Sequence, residues 1–334
     1  SREIKTIEWS VDAASKDGFD HFMIKEINEE GSAIDELLRV NVKDNRVDFE
    51  ENSFDKEEIA NINKIYIVAC GTAYHAGLVG KYAFEKIAKI PVICDIASEF
   101  RYNDPFIDEN TLVILISQSG ETADSLKALR LSKEKNAKTL LITNTLASSM
   151  DREALKSIYC YAGPEIAVAS TKAYITQVVN LYLLALDFSL KLGRIELSSY
   201  ENILKELKTL PKKVEELVKN DESIKEFAHE IKDSKSLFYI GRSLDYATSI
   251  EAALKLKEVS YIHTEAFAAG ELKHGTISLI EEATPVIAIM TQGNLLDKTL
   301  SNVEEVKSRG AKVFSITSKD DSRIRKVSEK TLVL

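Results

Sequence analysis

The chain has 334 residues, of which 44% are hydrophobic and 29% charged, and its formal net charge is −9. This length predicts two domains that each bury a core, and the composition excludes disordered, collagen-like and disulfide-scaffold proteins. An acidic charge balance without a basic stretch argues against nucleic acid as a partner. Glycine is scarce, with 13 residues in all, so the position of each glycine is informative.

Three widely spaced cysteines, Cys70, Cys94 and Cys160, form no CxxC pair. They predict neither a disulfide framework nor a thiolate metal site, and they favour a reducing, cytoplasmic location. The longest apolar stretch, 177–192, is interrupted by polar residues, and the chain does not open on a signal-peptide pattern. We therefore expect a soluble protein that uses no metal or cofactor and contacts no membrane.

The first 55 residues predict a lead-in segment of one or two helices without a strand, because apolar residues are spaced among charges. From residue 64 onward, short β-rich runs alternate with helical patterns, which is typical of a parallel α/β sheet. The predicted strands of this first block are 65–69, 91–96, 112–116, 139–143 and 158–162.

A second block repeats this plan after a Lys/Glu-rich helical connector. Its predicted strands are 237–240, 285–290, 312–317 and 331–334. The spacing repeats too, since Ser117 and Thr143 are 26 positions apart, as are Thr291 and Thr317. Internal duplication of one α/β unit is the simplest explanation. The predicted domains are a lead-in segment (1–55), a first module (56–190), a helical connector (191–230) and a second module (231–334).

The segment SQSGETADS (117–125) lies between a predicted strand and a predicted helix. The carboxyl edge of a parallel sheet is where ligands bind, and helix N-termini there attract anions. The segment offers hydroxyls, an amide and a glycine at this edge, from Ser117, Gln118, Ser119, Gly120 and Thr122. An ordinary helix cap followed by Glu explains one of these hydroxyls, but three exceed that need. Because nucleotide-binding glycine patterns are absent, we predict a neutral cradle for a small phosphorylated metabolite.

Two further segments follow predicted strands. In CGTAYHAG (70–77), Cys70 lacks a His/Asn partner pattern, so we interpret it as a small packed side chain rather than a nucleophile, and His75 as a packing or capping residue. In AGPEIAVASTKAYITQ (162–177), residues 168–170 are placed to line a sugar pocket with backbone groups. A plain loop with a helix cap explains the same residues.

The segment EAALKLKEVSYIHTEAFAAGELKHG (251–275) carries titratable groups. Glu251, Lys255 and Glu258 project from one helix face, which a surface ion pair worth only about a few tenths of a kcal/mol would also explain. Small residues and then Lys273 and His274 follow. Glu, Lys and His suit enolisation, in which a carboxylate moves a proton between adjacent carbons and an imidazole protonates a ring oxygen.

Together and in this order, these segments resemble the sugar-isomerase half of the glucosamine-6-phosphate synthase family, the glutamine-dependent fructose-6-phosphate aminotransferases. The resemblance runs from about residue 20 to the end of the chain. It implies two tandem flavodoxin-like sugar-isomerase (SIS) modules, each a parallel sheet flanked by helices. It also implies a transferase of hexosamine and UDP-N-acetylglucosamine biosynthesis.

The resemblance assigns a role to ten residues. The phosphate of fructose 6-phosphate would be held by Ser117, Gln118, Ser119 and Thr122, and the sugar would be contacted by Thr72, Val168 and Ser170. Glu258 would move a proton between C1 and C2, Lys255 would assist it, and His274 would help to open the ring. In the family this histidine reaches the site from the neighbouring subunit, which implies a homodimer.

The sequence also departs from the family. Ala73 stands where many members have Ser, which removes one hydroxyl from the phosphate site and predicts modestly weaker binding. The family's glutaminase domain, which supplies ammonia, and its C-terminal tail, whose lysine forms an imine with the sugar, are not found in the sequence. We expect the chain to bind better than it turns over. The alternatives are a non-catalytic phosphosugar sensor and a stand-alone phosphosugar isomerase or deglycase.

Overall fold

The computed structural model describes residues 15–219 and 221–334. The chain divides into two compact units, Ser1–Val218 and Lys219–Leu334. Each unit contains one five-stranded sheet in which every pair of neighbouring strands is parallel. Apolar clusters cover both faces of each sheet, so helices flank it on two sides. The predicted fold class, two tandem α/β modules, is confirmed.

The lead-in segment contains two helices, α1 (Phe22–Asn28) and α2 (Glu30–Asn41). The prediction that it holds no strand is wrong, because a short antiparallel hairpin follows, formed by β1 (Val42–Lys43) and β2 (Arg46–Val47). Its turn residues, Asp44 and Asn45, both have positive φ, which Asp and Asn adopt more readily than most residues. The first 14 residues of the predicted lead-in segment lie outside the described residues.

The sheet of the first unit has the order β4-β3-β5-β6-β7. Its strands are β3 (Lys64–Ala69), β4 (Val92–Ile96), β5 (Thr111–Ile116), β6 (Lys138–Thr143) and β7 (Lys156–Tyr159). The central strand β5 is buried along its whole length, as its continuous apolar run predicts. The last strand ends three residues before the predicted end at 162, and Tyr161 has a positive φ that extended strands do not adopt.

The first unit also contains eight helices among its described residues. After the two lead-in helices they are α3 (Lys56–Ala60), α4 (Gly71–Ala83), α5 (Ala97–Phe100), α6 (Ala123–Glu134), α7 (Ser149–Glu153), α8 (Lys172–Lys191), α9 (Leu197–Leu207) and α10 (Leu210–Lys219). Among the described helices, only α8 is long and apolar enough to cross a membrane by those two criteria. However, 72% of its apolar window is buried inside the chain, where it packs on α4 and α2.

The second unit repeats the same sheet order. Its elements are α11 (Glu222–Ile231), β8 (Ser236–Gly241), α12 (Leu244–Ser260), β9 (His263–Ala268), β10 (Pro285–Met290), α13 (Leu296–Ser308), β11 (Lys312–Thr317), α14 (Ser322–Val327) and β12 (Lys330–Val333). The order β9-β8-β10-β11-β12 places the second strand of the module outside the first, as in the first unit. The two sheets therefore share one topology, which agrees with an internal duplication.

Strand β9 is the one sheet strand of the second unit that the sequence did not predict among the described residues. It pairs only with β8 at the edge of the sheet, where most of its residues are half-buried. Its sequence, HTEAFA, mixes polar and apolar residues, so it lacks the continuous apolar run that marks a central strand. Strand β4, its counterpart in the first unit, is likewise an edge strand, and only one of its five residues is buried.

Candidate functional site

The loop between β5 and α6 is shaped by its own hydroxyls. The strand ends at Ile116, and the helix begins at Ala123 after a loop of six residues. Ser117 Oγ accepts a hydrogen bond from the Gly120 N–H at 3.1 Å and lies 3.1 Å from Thr122 Oγ1. Ser119 Oγ accepts a bond from the Glu121 N–H. Thr122, at the N-cap position, makes no side-chain cap bond, so the loop is not a simple helix cap.

The neighbouring chain segment after β6 fixes this loop from outside. The Asn144 N–H and the Thr143 hydroxyl donate to the Gln118 carbonyl, and the Met150 N–H donates to the Gly120 carbonyl. Gly120 has φ +63°, and a Cβ at this position would lie 2.0 Å from Ser148 Oγ. Both the backbone conformation and the close approach therefore require glycine here.

A cavity of about 210 Å³ opens beside this loop. Six of the ten predicted site residues line it, namely Thr72, Ser117, Gln118, Ser119, Thr122 and Ser170. They come from the ends of β3 and β5 and from the loop before α8, three segments that are far apart in sequence. All the side chains that line the cavity are uncharged, and most carry a hydroxyl or an amide. Such a cavity can bind an anion through neutral donors and the N-terminus of α6.

Val168 does not line the cavity, and its side chain is fully exposed. The loop that carries it is held by Glu165, whose carboxylate accepts bonds from the Ser170 hydroxyl and from the Thr171 and Ala173 N–H groups at 2.9 to 3.1 Å. A sugar contact through the Val168 backbone stays a prediction.

The lead-in helix α1 also holds this loop, a contact that sequence reasoning missed. Glu26 is buried, and its Oε1 accepts bonds from the Ile166 N–H at 2.6 Å and the Ala167 N–H at 3.0 Å. Lys172, at the start of α8, is also buried and pairs with Glu29 at 2.6 Å. The sequence signal that could have revealed this contact was Glu26 itself, an acidic residue among the apolar positions of the predicted helix.

The three predicted catalytic residues belong to the second unit, whereas the cavity lining comes entirely from the first. On α12, Lys255 Nζ lies 2.7 Å from Glu258 Oε2 and 3.5 Å from Glu251 Oε1. The side chain of Lys255 is 19% exposed and that of Glu258 is 35% exposed. A catalytic role for this pair stays a prediction. His274 is exposed in the turns that follow β9, and its N–H donates to the Glu271 carbonyl.

The run of small residues before His274 packs against an arginine. A Cβ on Gly270 would lie 2.7 Å from Arg242 Nη2. The guanidinium of Arg242 is held in turn by Asn302 Oδ1, which accepts from Nη2 at 2.7 Å and from Nε at 3.1 Å. The glycine in this segment therefore leaves room for a side chain of the same unit.

The second unit has a carboxylate at the counterpart of the β5 loop. Thr291 directly follows β10. Its N–H donates to Asp245 Oδ2 at 3.0 Å, and its hydroxyl donates to Asp245 Oδ1 at 2.5 Å. Asp245 is buried and belongs to α12. The hydrogen-bond donors of Thr291 are therefore already bonded to the carboxylate of Asp245.

The three cysteines are free thiols in different surroundings. Cys70 lines the cavity at the N-cap of α4. Burial raises the pKa of Cys94 to about 12 and the pKa of Cys160 to about 12, which keeps both thiols protonated and unreactive. Within residues 15–219 and 221–334, no group of three or more His, Cys, Asp or Glu side chains is placed to hold a metal ion.

Residues 58–187 and 230–334 match the SIS domain family, which covers most of both units. The chain belongs to this family. Among solved structures, the C-terminal domain of glucosamine-fructose-6-phosphate aminotransferase from Francisella tularensis is 39% identical with a TM-score of 0.89, covering 96% of this chain and 90% of that one. The resemblance stated from the four motifs is confirmed.

Two curated relatives of this chain are both named glutamine–fructose-6-phosphate aminotransferase. The glutamine–fructose-6-phosphate aminotransferase (isomerizing) of Caldanaerobacter subterraneus is 51% identical over 329 residues, which are 98% of this chain and 54% of the relative. That of Clostridium tetani is 52% identical over 336 residues, which are 100% of this chain and 55% of the relative. The chain therefore spans about half the length of the curated relatives that it matches.

Proposed function

We propose that this chain is the sugar-isomerase part of a glutamine–fructose-6-phosphate aminotransferase and that it binds fructose 6-phosphate in the cavity beside the β5 loop. The observation that carries the proposal is this cavity, in which Thr72, Ser170 and the hydroxyls of the β5 loop converge. The names of the relatives support the substrate, and the shared fold supports the place of the site.

In this proposal the phosphate is bound by neutral donors. The hydroxyls of Ser117, Ser119 and Thr122 and the amide of Gln118 surround it at the N-terminal end of α6, where free N–H groups and the helix dipole favour an anion. Thr72 and Ser170, on the other segments of the lining, contact the sugar hydroxyls, and Val168 contributes its backbone.

The chemistry is assigned to residues of the second unit. His274 helps to open the sugar ring, reaching the site from the neighbouring subunit of a homodimer. The free C2 carbonyl then condenses with ammonia to an imine and releases water. Glu258 removes a proton from C1 and returns it to C2, and Lys255, at 2.7 Å, orients that carboxylate. The result is glucosamine 6-phosphate.

The proposal includes partners that lie outside this sequence. A glutaminase domain of the longer protein supplies the ammonia, which agrees with relatives almost twice as long as this chain. The free cysteines, two of which have strongly raised pKa values, suit a cytoplasmic enzyme.

Calorimetry with glucosamine 6-phosphate and with unphosphorylated glucosamine tests the proposal. We expect the phosphorylated sugar to bind at least tenfold more tightly, because only its phosphate engages the β5 loop. Replacing Ser117 with Ala removes a cavity hydroxyl and is expected to weaken the phosphosugar alone, whereas Ser132→Ala, a buried serine on α6 outside the lining, is the matched control. Equal affinity for the two sugars would contradict the proposal.

A further inference from the structure

Two lining residues with a hydroxyl or amide side chain have no role in the proposed function. Ser125 lies in the first turn of α6, and Gln177 lies in the second turn of α8. Each is only 1% exposed. Neither Ser125 Oγ nor Gln177 Oε1 has a hydrogen-bond partner within the described chain.

Such atoms are rare in folded proteins, because a buried polar group without a partner costs stability. Among the described residues, only five buried side-chain nitrogen or oxygen atoms lack a partner, and two of them belong to this one cavity. Because two of these unpartnered atoms lie in one cavity, we look for a common cause in that cavity.

Neighbouring residues on the same two helices show that the helices themselves can satisfy such groups. Ser132, which lies seven residues after Ser125 on α6, donates its hydroxyl to the Ala128 carbonyl at 2.7 Å. Thr176, beside Gln177, donates to the Lys172 carbonyl at 2.9 Å. Ser125 makes no such bond to its own helix. Its hydroxyl is therefore available to whatever occupies the cavity.

We propose that Ser125 and Gln177 are ligand-binding residues, with the Ser125 hydroxyl donating to the phosphate and the Gln177 amide bonding to a sugar hydroxyl. Ser125 follows Thr122 by one turn on the helix whose N-terminus faces the phosphate loop. Gln177 belongs to the helix that follows Ser170 and the sugar loop. This inference rests on the proposed function, because it takes a phosphosugar as the occupant.

The test measures binding of glucosamine 6-phosphate and of inorganic phosphate to Ser125→Ala and Gln177→Met by calorimetry. Ser125→Ala is expected to weaken both ligands about tenfold, because it removes a bond to a charged group. Gln177→Met is expected to weaken the phosphosugar about three- to tenfold and to leave inorganic phosphate unchanged. Both variants should unfold at the same temperature as the parent protein or higher, because each removes an unpartnered polar atom.

Ser132→Ala and Ser189→Ala serve as matched controls on the same helices. Both serines are fully buried and bonded to a backbone carbonyl away from the cavity, so these variants should lose stability and keep their affinity. Unchanged affinity in Ser125→Ala and Gln177→Met, beside normal binding by the parent protein, would overturn this inference alone. A parent protein that binds neither ligand would instead overturn the proposed function together with it.

Discussion

Gly120 controls the shape of the β5 loop, the proposed phosphate site, through its backbone. Its φ of +63° and its approach to Ser148 leave no room for a side chain. We expect Gly120→Ala to cost roughly 1–2 kcal/mol for the strained backbone plus a steric penalty of roughly 1–3 kcal/mol, and to weaken phosphosugar binding at least tenfold. Chemical denaturation and calorimetry measure the two effects.

Gly193 provides the matched control for that variant. It has nearly the same φ, +65°, but nothing lies within 4 Å of its missing Cβ. Gly193→Ala should therefore show the backbone cost alone and full binding. If Gly120→Ala binds the phosphosugar as well as Gly193→Ala does, the loop is not the phosphate site.

Glu258 is the residue on which the proposed proton transfer depends. We expect Glu258→Gln to abolish exchange of the C1 proton of fructose 6-phosphate with solvent deuterium, because the amide cannot accept that proton, while binding is retained. NMR of the sugar in deuterium oxide follows the exchange, and parent protein is measured beside it. Glu304→Gln, at an exposed position on α13, is the control. Exchange that persists in Glu258→Gln would exclude the assigned role.

At the residue scale, motif spacing predicted the cavity lining well but not completely. Ser117, Ser119 and Thr122 were predictable because hydroxyls clustered after an apolar strand. Ser125 lay inside the same motif, and its spacing of three from Thr122 places it on the same helix face. Gln177 was harder to predict, because nothing in the local sequence pattern distinguishes a glutamine that lines a cavity from one that is exposed to solvent.

At the scale of elements, the loop before α8 is held on two sides by carboxylates. Glu165 binds it from within, and Glu26 on α1 binds it from the lead-in segment. A helix that precedes the first sheet strand thereby sets the position of a loop that contributes Ser170 to the cavity. Contacts between segments about 140 residues apart cannot be deduced from local sequence patterns.

Glu30, at the start of α2, makes the stability of this contact region depend on pH. Burial and the nearby charge of Glu165 raise the pKa of Glu30 to about 7, above the usual 4.5. Between these two values the folded state keeps a proton that the unfolded state has lost, so stability falls as pH rises from about 5 to about 7. Above the folded-state pKa the loss is complete and constant.

Replacing Glu30 with Gln should therefore stabilise the protein at pH 8, by an amount on the order of 2 kcal/mol, and have little effect at pH 5. Urea denaturation at the two pH values measures the difference. Glu57→Gln, at an exposed position on α3, should be neutral at both. A Glu30→Gln variant no more stable than the parent protein at pH 8 would refute the raised pKa.

Edge elements were the least predictable part of the fold. Central strands such as β5 and β10 are buried on both faces, so they are recognisable in the sequence as continuous apolar runs. Strand β9 is stabilised by pairing with β8 rather than by burial, so its residues carry little signal. The hairpin of β1 and β2 has only two residues in each strand, too few for any periodicity to emerge.

Across the described residues of the whole molecule, one sheet topology occurs twice, but the donors at the corresponding strand ends have different surroundings. In the first module the strand-end loop has hydroxyls that line a cavity. In the second module the counterpart donors are bonded to the buried carboxylate of Asp245. Duplication thus preserved the sheet, while one acidic residue changed what its edge can bind.

We therefore expect one phosphosugar per chain. Calorimetric titration with glucosamine 6-phosphate should give a stoichiometry near one, and Ser117→Ala combined with Thr122→Val should remove binding altogether. A second site of similar affinity, or residual binding in the double variant, would show that the second module also accepts the ligand.

The uncharged lining of the cavity has a kinetic consequence. Because the chain has a net charge of −9, the proposed phosphosugar would be repelled as it approaches, and the residues that line the cavity carry no positive charge. Raising the ionic strength from about 20 to about 200 mM shortens the range of this repulsion, so stopped-flow association should become faster while dissociation stays nearly constant. Phosphate sites built from lysine and arginine show the opposite salt dependence, and added salt would therefore promote capture of the sugar here.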